Sequence, residues 1–324
     1  VPDKRNHFID LLRIVAASWV ALFHFNQPIP NIDNWYRGFC KFGYVGVPIF
    51  FVVSGYCILI ALGHGAQPFK FAIRRFFRIF PPYWFSLLLI VIIIAGEKLI
   101  TGTNSVAFPK NITGILATIA LLTNPLTNVP TVNWVYWTLP YEVMFYLVVF
   151  ITTFFNRKYL PVIFIVITLL TFLLPPMVGG ALSFFKYWPM FMLGVCVYYL
   201  VHGLQPKLTI ALTILTIINI LFCGLGLSYV ITALIIAALI YLNHLRPMKQ
   251  NLFSKYGDVS YSLYLIHVPV GEYVLGRLKA GFQTNIFTNI IYDVLLLVLC
   301  IILSSLMFKY VELPAIKYGK RIAG

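Results

Sequence analysis

The sequence predicts an all-α integral membrane protein of about ten transmembrane helices, with both termini in the cytoplasm. Three observations carry that expectation. Apolar runs of about 20 residues recur from end to end, the length an α-helix needs to cross a hydrocarbon core. The 324 residues are 60% hydrophobic and 10% charged with a mean hydropathy of +0.90, where a soluble domain carries roughly 25% charged residues. Lysine and arginine are also distributed unevenly between alternate loops. A β-barrel is excluded, because its strands give short alternating segments rather than long apolar runs.

In chain order the expected spans are 8–28, 44–63, 79–96, 135–155, 159–176, 183–201, 208–224, 227–243, 259–276 and 286–308. The first follows Lys4 and Arg5 and lacks a small-residue cleavage site, so it reads as a retained span rather than a signal peptide. Pro81-Pro82 is expected to redirect the chain into the third. The apolar stretch 112–122 lies between Asn111 and Asn124-Pro125 and is shorter than the ~17 residues a span needs. Ten crossings from an inside N-terminus put 17 of the 24 basic residues on the inner face, and an eleventh crossing largely removes that bias. Stretch 112–122 is therefore expected to be re-entrant or interfacial.

The formal charge of +15 follows from this positive-inside bias, since the basic residues sit in short loops with no basic tail. Nucleic acid is not an expected partner; membrane lipid is. Cys40, Cys57, Cys196, Cys223 and Cys300 are scattered without metal-ligand or disulfide spacing and read as packing residues, so no metal site is expected. With no linker and no internal repeat, residues 1–324 read as one membrane domain, without room for a separate soluble module.

Four stretches carry titratable groups into these spans. In NHFIDLLRIVAASWVALFHF, Arg13 and His24 lie eleven residues apart, ~20° apart around a helix and ~16 Å along it. Asp10, three residues before Arg13, can pair with it. In RRFFRIFPPYW, Arg74 and Arg75 precede Arg78 by four and three residues, so their guanidiniums can converge where a phosphate-bearing donor would dock. The same cluster also suits a stop-transfer anchor. WTLPYEVMFY places Trp137 and Glu142 toward the outer half of the fourth span, and YSLYLIHVPV places Tyr264 and His267 inside an aromatic-rich one. A carboxylate at such depth needs a partner or a role. A histidine at a membrane face suits general-base work on a hydroxyl. Neither a GxSxG elbow nor an HExxH pair is present, so serine hydrolase and zinc chemistry have no support. Ser54-Gly55 reads as a close-packing device.

In order, these stretches resemble the bacterial acyltransferase-3 family of polytopic membrane O-acyltransferases. The resemblance rests on the Arg-x10-His of Arg13 and His24, FFVVSGYCI at 50–58, and the Arg-x-x-Arg of Arg75 and Arg78. It continues through WTLPYEVMFYL at 137–147, SYSLYLIHVPV at 260–270 and Glu312-Leu-Pro314, and so covers almost the whole chain. It implies an acyl-CoA donor, usually acetyl-CoA, and an acceptor hydroxyl, often on a surface glycan such as O-antigen or exopolysaccharide. It also implies His24 as catalytic base with Arg13 in support, Arg75 and Arg78 at the donor face beside Arg74, and Glu142 in a shared cavity. Asp10, Ser54, Trp137, Tyr264 and His267 are further cavity candidates. Many relatives add an SGNH-type extracytoplasmic domain, and this chain looks like the stand-alone form. Thr138 and Pro140 stand where relatives often have serine. The implied location is the bacterial cytoplasmic (inner) membrane, crossed many times. The rival reading is a transporter or flippase for an anionic metabolite or lipid-linked sugar, with the same charges as path residues.

Overall fold

A computed structural model describes residues 6–27, 34–63, 67–102, 108–174, 180–203, 205–276 and 285–324. The described residues contain no strand. The helices are α1 (His7–Asn26), α2 (Trp35–Lys41), α3 (Gly46–Gly63), α4 (Pro68–Thr101), α5 (Ile112–Ile119), α6 (Thr138–Asn156) and α7 (Leu160–Leu173). They continue with α8 (Phe184–His202), α9 (Pro206–Phe222), α10 (Leu227–Leu245), α11 (Ser260–Val268), α12 (Ile286–Met307) and α13 (Leu313–Ala323). Each of the ten expected spans is helical over most of its described length. Among the described residues, seven continuous helical runs are long and apolar enough to cross a membrane. One of these, Trp134–Leu173, contains two of the expected spans, separated where Asn156 leaves the helical region (φ −169°, ψ 126°) and caps the turn at Lys158. The shorter apolar helix α9 spans Pro206–Phe222.

Local chemistry explains the element ends. Asn6 caps α1 by accepting from the Phe8 and Ile9 amides. Pro68 opens α4, and Gly102, at φ 71°, closes it in the left-handed region. The eight residues of α5 extend only ~12 Å, too short to cross. Helix α5 docks on α4, where the Tyr83 hydroxyl donates to the Thr118 carbonyl (2.5 Å) and the Trp84 indole to the Ile119 carbonyl (3.0 Å).

One expectation is corrected here. Pro81-Pro82 does not redirect the chain: α4 runs unbroken through both prolines for 34 residues. The prolines withdraw the amides that would bond the carbonyls of Phe77 and Arg78. Membrane helices tolerate this where neighbouring groups supply donors, and the Tyr261 hydroxyl of α11 donates to the Ile79 carbonyl (3.0 Å) in the same turn.

Outward faces are apolar, as on Leu88, Ile92, Ile291 and Leu295, and the centre is dense with buried aromatics such as Phe145, Phe164, Trp188 and Phe191. All five cysteines are free thiols; Cys40, Cys196 and Cys300 are buried and Cys57 and Cys223 half-buried. Helices α3 and α8 make the closest crossing, through two small residues. A Cβ on Gly55 would stand 2.0 Å from the Phe191 carbonyl oxygen, and one on Gly194 would stand 2.0 Å from that of Val52. The close packing expected of Ser54-Gly55 thus belongs to the glycine. We expect Gly194→Leu to destabilise the bundle by about 3 kcal/mol or more, because both obstructing groups are backbone. Gly96→Ala in α4, where a Cβ meets nothing within 4 Å, is expected to be neutral or slightly stabilising. Thermal unfolding in detergent, followed by size-exclusion chromatography, checks both.

Candidate active site

The sequence sets polar residues into several apolar helices, and packing gathers them around a central cavity of about 70 Å³. Its lining includes Arg13 from α1, Ser54 from α3, Arg78 from α4, Thr138, Glu142 and Tyr146 from α6, and Tyr261 and Tyr264 from α11. Glu142 lies in the second turn of α6. One of its carboxylate oxygens accepts from the Ser54 hydroxyl (3.0 Å) and from the Tyr146 hydroxyl one turn on. Ser54 is therefore a cavity residue, in addition to lying beside the packing glycine.

The arginine cluster divides. Arg75 faces inward and stacks its guanidinium over the Phe71 and Tyr146 rings, at 5.6 and 5.4 Å from their centroids. Arg78 lines the cavity itself. Arg74 is on the exposed face of α4, so the three guanidiniums do not converge. One turn of helix offers Arg78 two flanking positions, and the core takes the one three residues away.

A second carboxylate joins Arg78 and Arg13 from the other side. Glu312 is fully buried at the end of a π-helical segment, Phe308–Glu312, and its Oε2 accepts from the Ser262 hydroxyl (2.7 Å). Its Oε1 has no hydrogen-bond partner among the described residues, and its strongest favourable charge neighbours are Arg78 and then Arg13. The sequence reading placed Glu312 in a motif without giving it a role. A lone acidic residue next to the last apolar run was the available signal.

His24 sits elsewhere. At the far end of α1 it lies outside the lining of the central cavity to which Glu142 belongs. Its Nδ1 accepts from the indole N–H of Trp134 (3.2 Å), on a 3₁₀ turn just before α6. The ring of fully buried His267 stands 5.3 Å away. His267 in turn packs on Tyr264, at 5.8 Å, and Tyr264 reaches the central cavity. The aromatic chain Tyr264–His267–His24 thus lies between the cavity and the end of α1, because α11 packs alongside α1 there.

Two residues beyond His24, a polar knot holds the helix end. Buried Asp293 of α12 accepts from the Asn26 amide (2.6 Å) and the Tyr36 hydroxyl (2.9 Å). Asn289 donates to Asn26, and Arg37 donates to the Asn26 carbonyl. None of these was singled out from sequence for a role. Arg37, a basic residue in the loop between the first two expected spans, is buried.

At the opposite end of α1 lies a larger cavity of about 550 Å³, lined by Asn6, His7, Asp10, Arg13, Tyr56, Cys57, His202, Asn243 and His244 among others. Arg13 lines both cavities, and buried Asp10 lines only the larger one. Trp137 packs on Tyr141 and Tyr187 and lines neither. Among the described residues no three His, Cys, Asp or Glu side chains group as a metal would require.

Glu312 is fully buried, accepts from Ser262 and has Arg78 and Arg13 as favourable charge neighbours, so we expect Glu312→Ala to cost about 2 kcal/mol. Glu312→Ala combined with Arg78→Met is expected to recover part of that loss. A double-mutant cycle on melting temperature in detergent checks it.

Comparison with known proteins shows which family the chain belongs to. Over 100 residues, 30% of this chain, the sequence is 33% identical to a candidate membrane-bound transacylase, BcsY of Komagataeibacter xylinus, and the matched stretch spans 22% of that relative's length. No solved structure matches. The family model described as "Acyltransferase domain" (Acyl_transf_3) matches residues 6–309. A multi-pass helical membrane protein matched over nearly its whole length in this way belongs to the acyltransferase-3 family.

Proposed function

We propose that the protein is an O-acyltransferase of the bacterial cytoplasmic membrane, moving an acetyl group from cytoplasmic acetyl-CoA to a hydroxyl of a cell-surface glycan such as O-antigen or exopolysaccharide. The observation that carries this reading is the position of Arg13. It joins the large cavity at the N-terminal end of α1 to the central cavity, on the face of α1 that also presents His24 ~16 Å further along. The donor enters from the large cavity, at the end the basic-residue bias assigns to the cytoplasm, and its long pantetheine arm passes Arg13. Arg78 and Arg75 hold the anionic part of the donor, a task that suits the planar guanidinium fork. The acceptor reaches His24 from the opposite end, beside half-exposed Trp134.

In the reaction the acceptor oxygen bonds the acyl carbon and the carbon–sulfur bond breaks. His24 takes the hydroxyl proton, which passes on to the CoA sulfur. Ser54, Tyr146 and Glu142 form a hydrogen-bonded floor for the central cavity and hold its shape. Membership of an acyltransferase family favours this reading over transport of an anionic solute, for which the same charges would serve as path residues.

Titration of purified protein with acetyl-CoA tests the donor site without knowledge of the acceptor. Saturable binding is expected, and Arg75→Ala/Arg78→Ala is expected to weaken it about tenfold or more, equivalent to ~1.4 kcal/mol. A folded wild type that binds no acetyl-CoA would overturn the proposal. His24→Ala is expected to keep donor binding and to lose roughly 100-fold or more of the O-acetyl transferred to surface polysaccharide in cells.

A further inference from the structure

We propose that His267 is a positioning residue for His24: its Nε2 accepts a hydrogen bond from the Nε2–H of His24 and so keeps the His24 Nδ1 basic and aimed at the acceptor. This rests on the reading of His24 as the base and adds a second imidazole to it. The argument begins with the protons. His267 is fully buried in the last turn of α11, and its Nδ1 lies 3.1 Å from the Leu263 carbonyl oxygen. A carbonyl only accepts, so Nδ1 carries the proton and Nε2 carries the lone pair. That Nε2 is buried and has no hydrogen-bond partner among the described residues. A buried acceptor left unmatched is costly, and where one persists a functional reason is to be sought.

The tautomer of His24 is set from the other side. An indole N–H only donates, and the Trp134 Nε1 lies 3.2 Å from His24 Nδ1. His24 Nδ1 is therefore the acceptor, and in the neutral ring the proton sits on Nε2. The Gln27 side chain, 3.3 Å from the same Nδ1, is consistent once its amide NH₂ rather than its oxygen faces the ring. One imidazole thus offers a donor at Nε2 and the other an acceptor at Nε2. Their centroids are 5.3 Å apart at an interplanar angle of 36°. His267 Nε2 makes no direct hydrogen bond to the His24 ring here, and the proposed contact closes in the substrate complex. Catalytic contacts of this kind often tighten only when substrate binds.

The arrangement assigns Trp134 a place in the cycle. Its indole N–H occupies the direction from which an acceptor hydroxyl would approach Nδ1. When the hydroxyl takes that position, its oxygen bonds the acyl carbon as the carbon–sulfur bond breaks, and its proton moves to Nδ1. The Nε2 proton stays on His24, and its hydrogen bond to the neutral His267 stabilises the imidazolium without adding a charge to a buried site. The Nδ1 proton then leaves with the CoA sulfur as the free thiol.

The test compares His267→Gln, whose amide oxygen can still accept, with His267→Phe, which fills the space without an acceptor. Protein labelled with ¹⁵N-histidine is studied in detergent by NMR, and His24→Gln identifies the His24 signals by their loss. The wild type is expected to show His24 as the Nε2–H tautomer, His267→Gln to preserve it, and His267→Phe to shift it toward a mixture. In membranes carrying the native acceptor, CoA release from acetyl-CoA is expected to fall about 100-fold in kcat for His267→Phe, with KM for the donor little changed. His267→Gln is expected to recover at least about tenfold of that loss. An unchanged His24 tautomer in folded His267→Phe would overturn the proposal. If His267→Phe does not fold, loss of the tautomer and of the rate in His267→Gln would do the same. Full CoA release by His24→Gln would instead overturn the role of His24 as base, while the tautomer measurement would still decide whether the two histidines act as a pair.

Discussion

A charged or hydrogen-bonding side chain in a lipid-embedded helix must meet a partner inside the protein, because the hydrocarbon around it offers none. The rest of this structure depends on that constraint. Arg13 and His24 share one face of α1, and buried Asp10 and Asn26 add polar groups near its two ends. The bundle is built so that each of these positions meets polar company. Asp10 and Arg13 open onto the larger cavity, Arg13 also lines the central one with Arg78 and Glu142, and buried Glu312 feels the charge of Arg78 and Arg13. His24 meets Trp134 and His267, and Asn26 meets Asp293 and Asn289.

Helix α1 therefore acts as a spine, and the other helices supply its partners. The glycine crossing of α3 and α8 brings backbones close enough for Ser54 to reach Glu142. The three-residue spacing of Arg75 and Arg78 in α4 turns both inward, Arg75 over the Tyr146 ring of α6 and Arg78 into the central cavity. The π-helical turn at Pro269–Val274 begins two residues after His267, and the one at Phe308–Glu312 ends at Glu312. Such widened turns are frequent at functional sites, and here they adjoin two buried side chains that each leave one atom without a hydrogen-bond partner among the described residues.

Much of the candidate site was legible before folding was considered. Arg13, Ser54, Arg78, Glu142 and Tyr264 come together around one cavity, and each is a polar group standing out against an apolar run. What could not be read was which side of a helix turns inward. Arg74 and Arg75 are equally near Arg78 by spacing, yet the core accepts Arg75 and leaves Arg74 outside. Trp137 belongs to a motif and packs against tyrosines away from both cavities. Asp293 and Glu312 gain their partners from residues 267 and 50 positions away in the chain, a distance no local pattern reports.

The sequence by itself determined the class of the protein. Apolar run lengths require helices, since a helix satisfies its own backbone in hydrocarbon, and the basic-residue bias sets only their expected orientation. The eleven-residue spacing placed Arg13 and His24 on one face whatever the remaining helices did, because that spacing is three turns of any α-helix. Tertiary structure alone decided what surrounds each of these two residues. Arg13 stands between two cavities, and His24 lies beyond a Tyr264–His267 barrier. The reason is physical: intrahelical geometry fixes angle and rise, but empty space exists only between helices, and its position depends on which side chains fill the gaps.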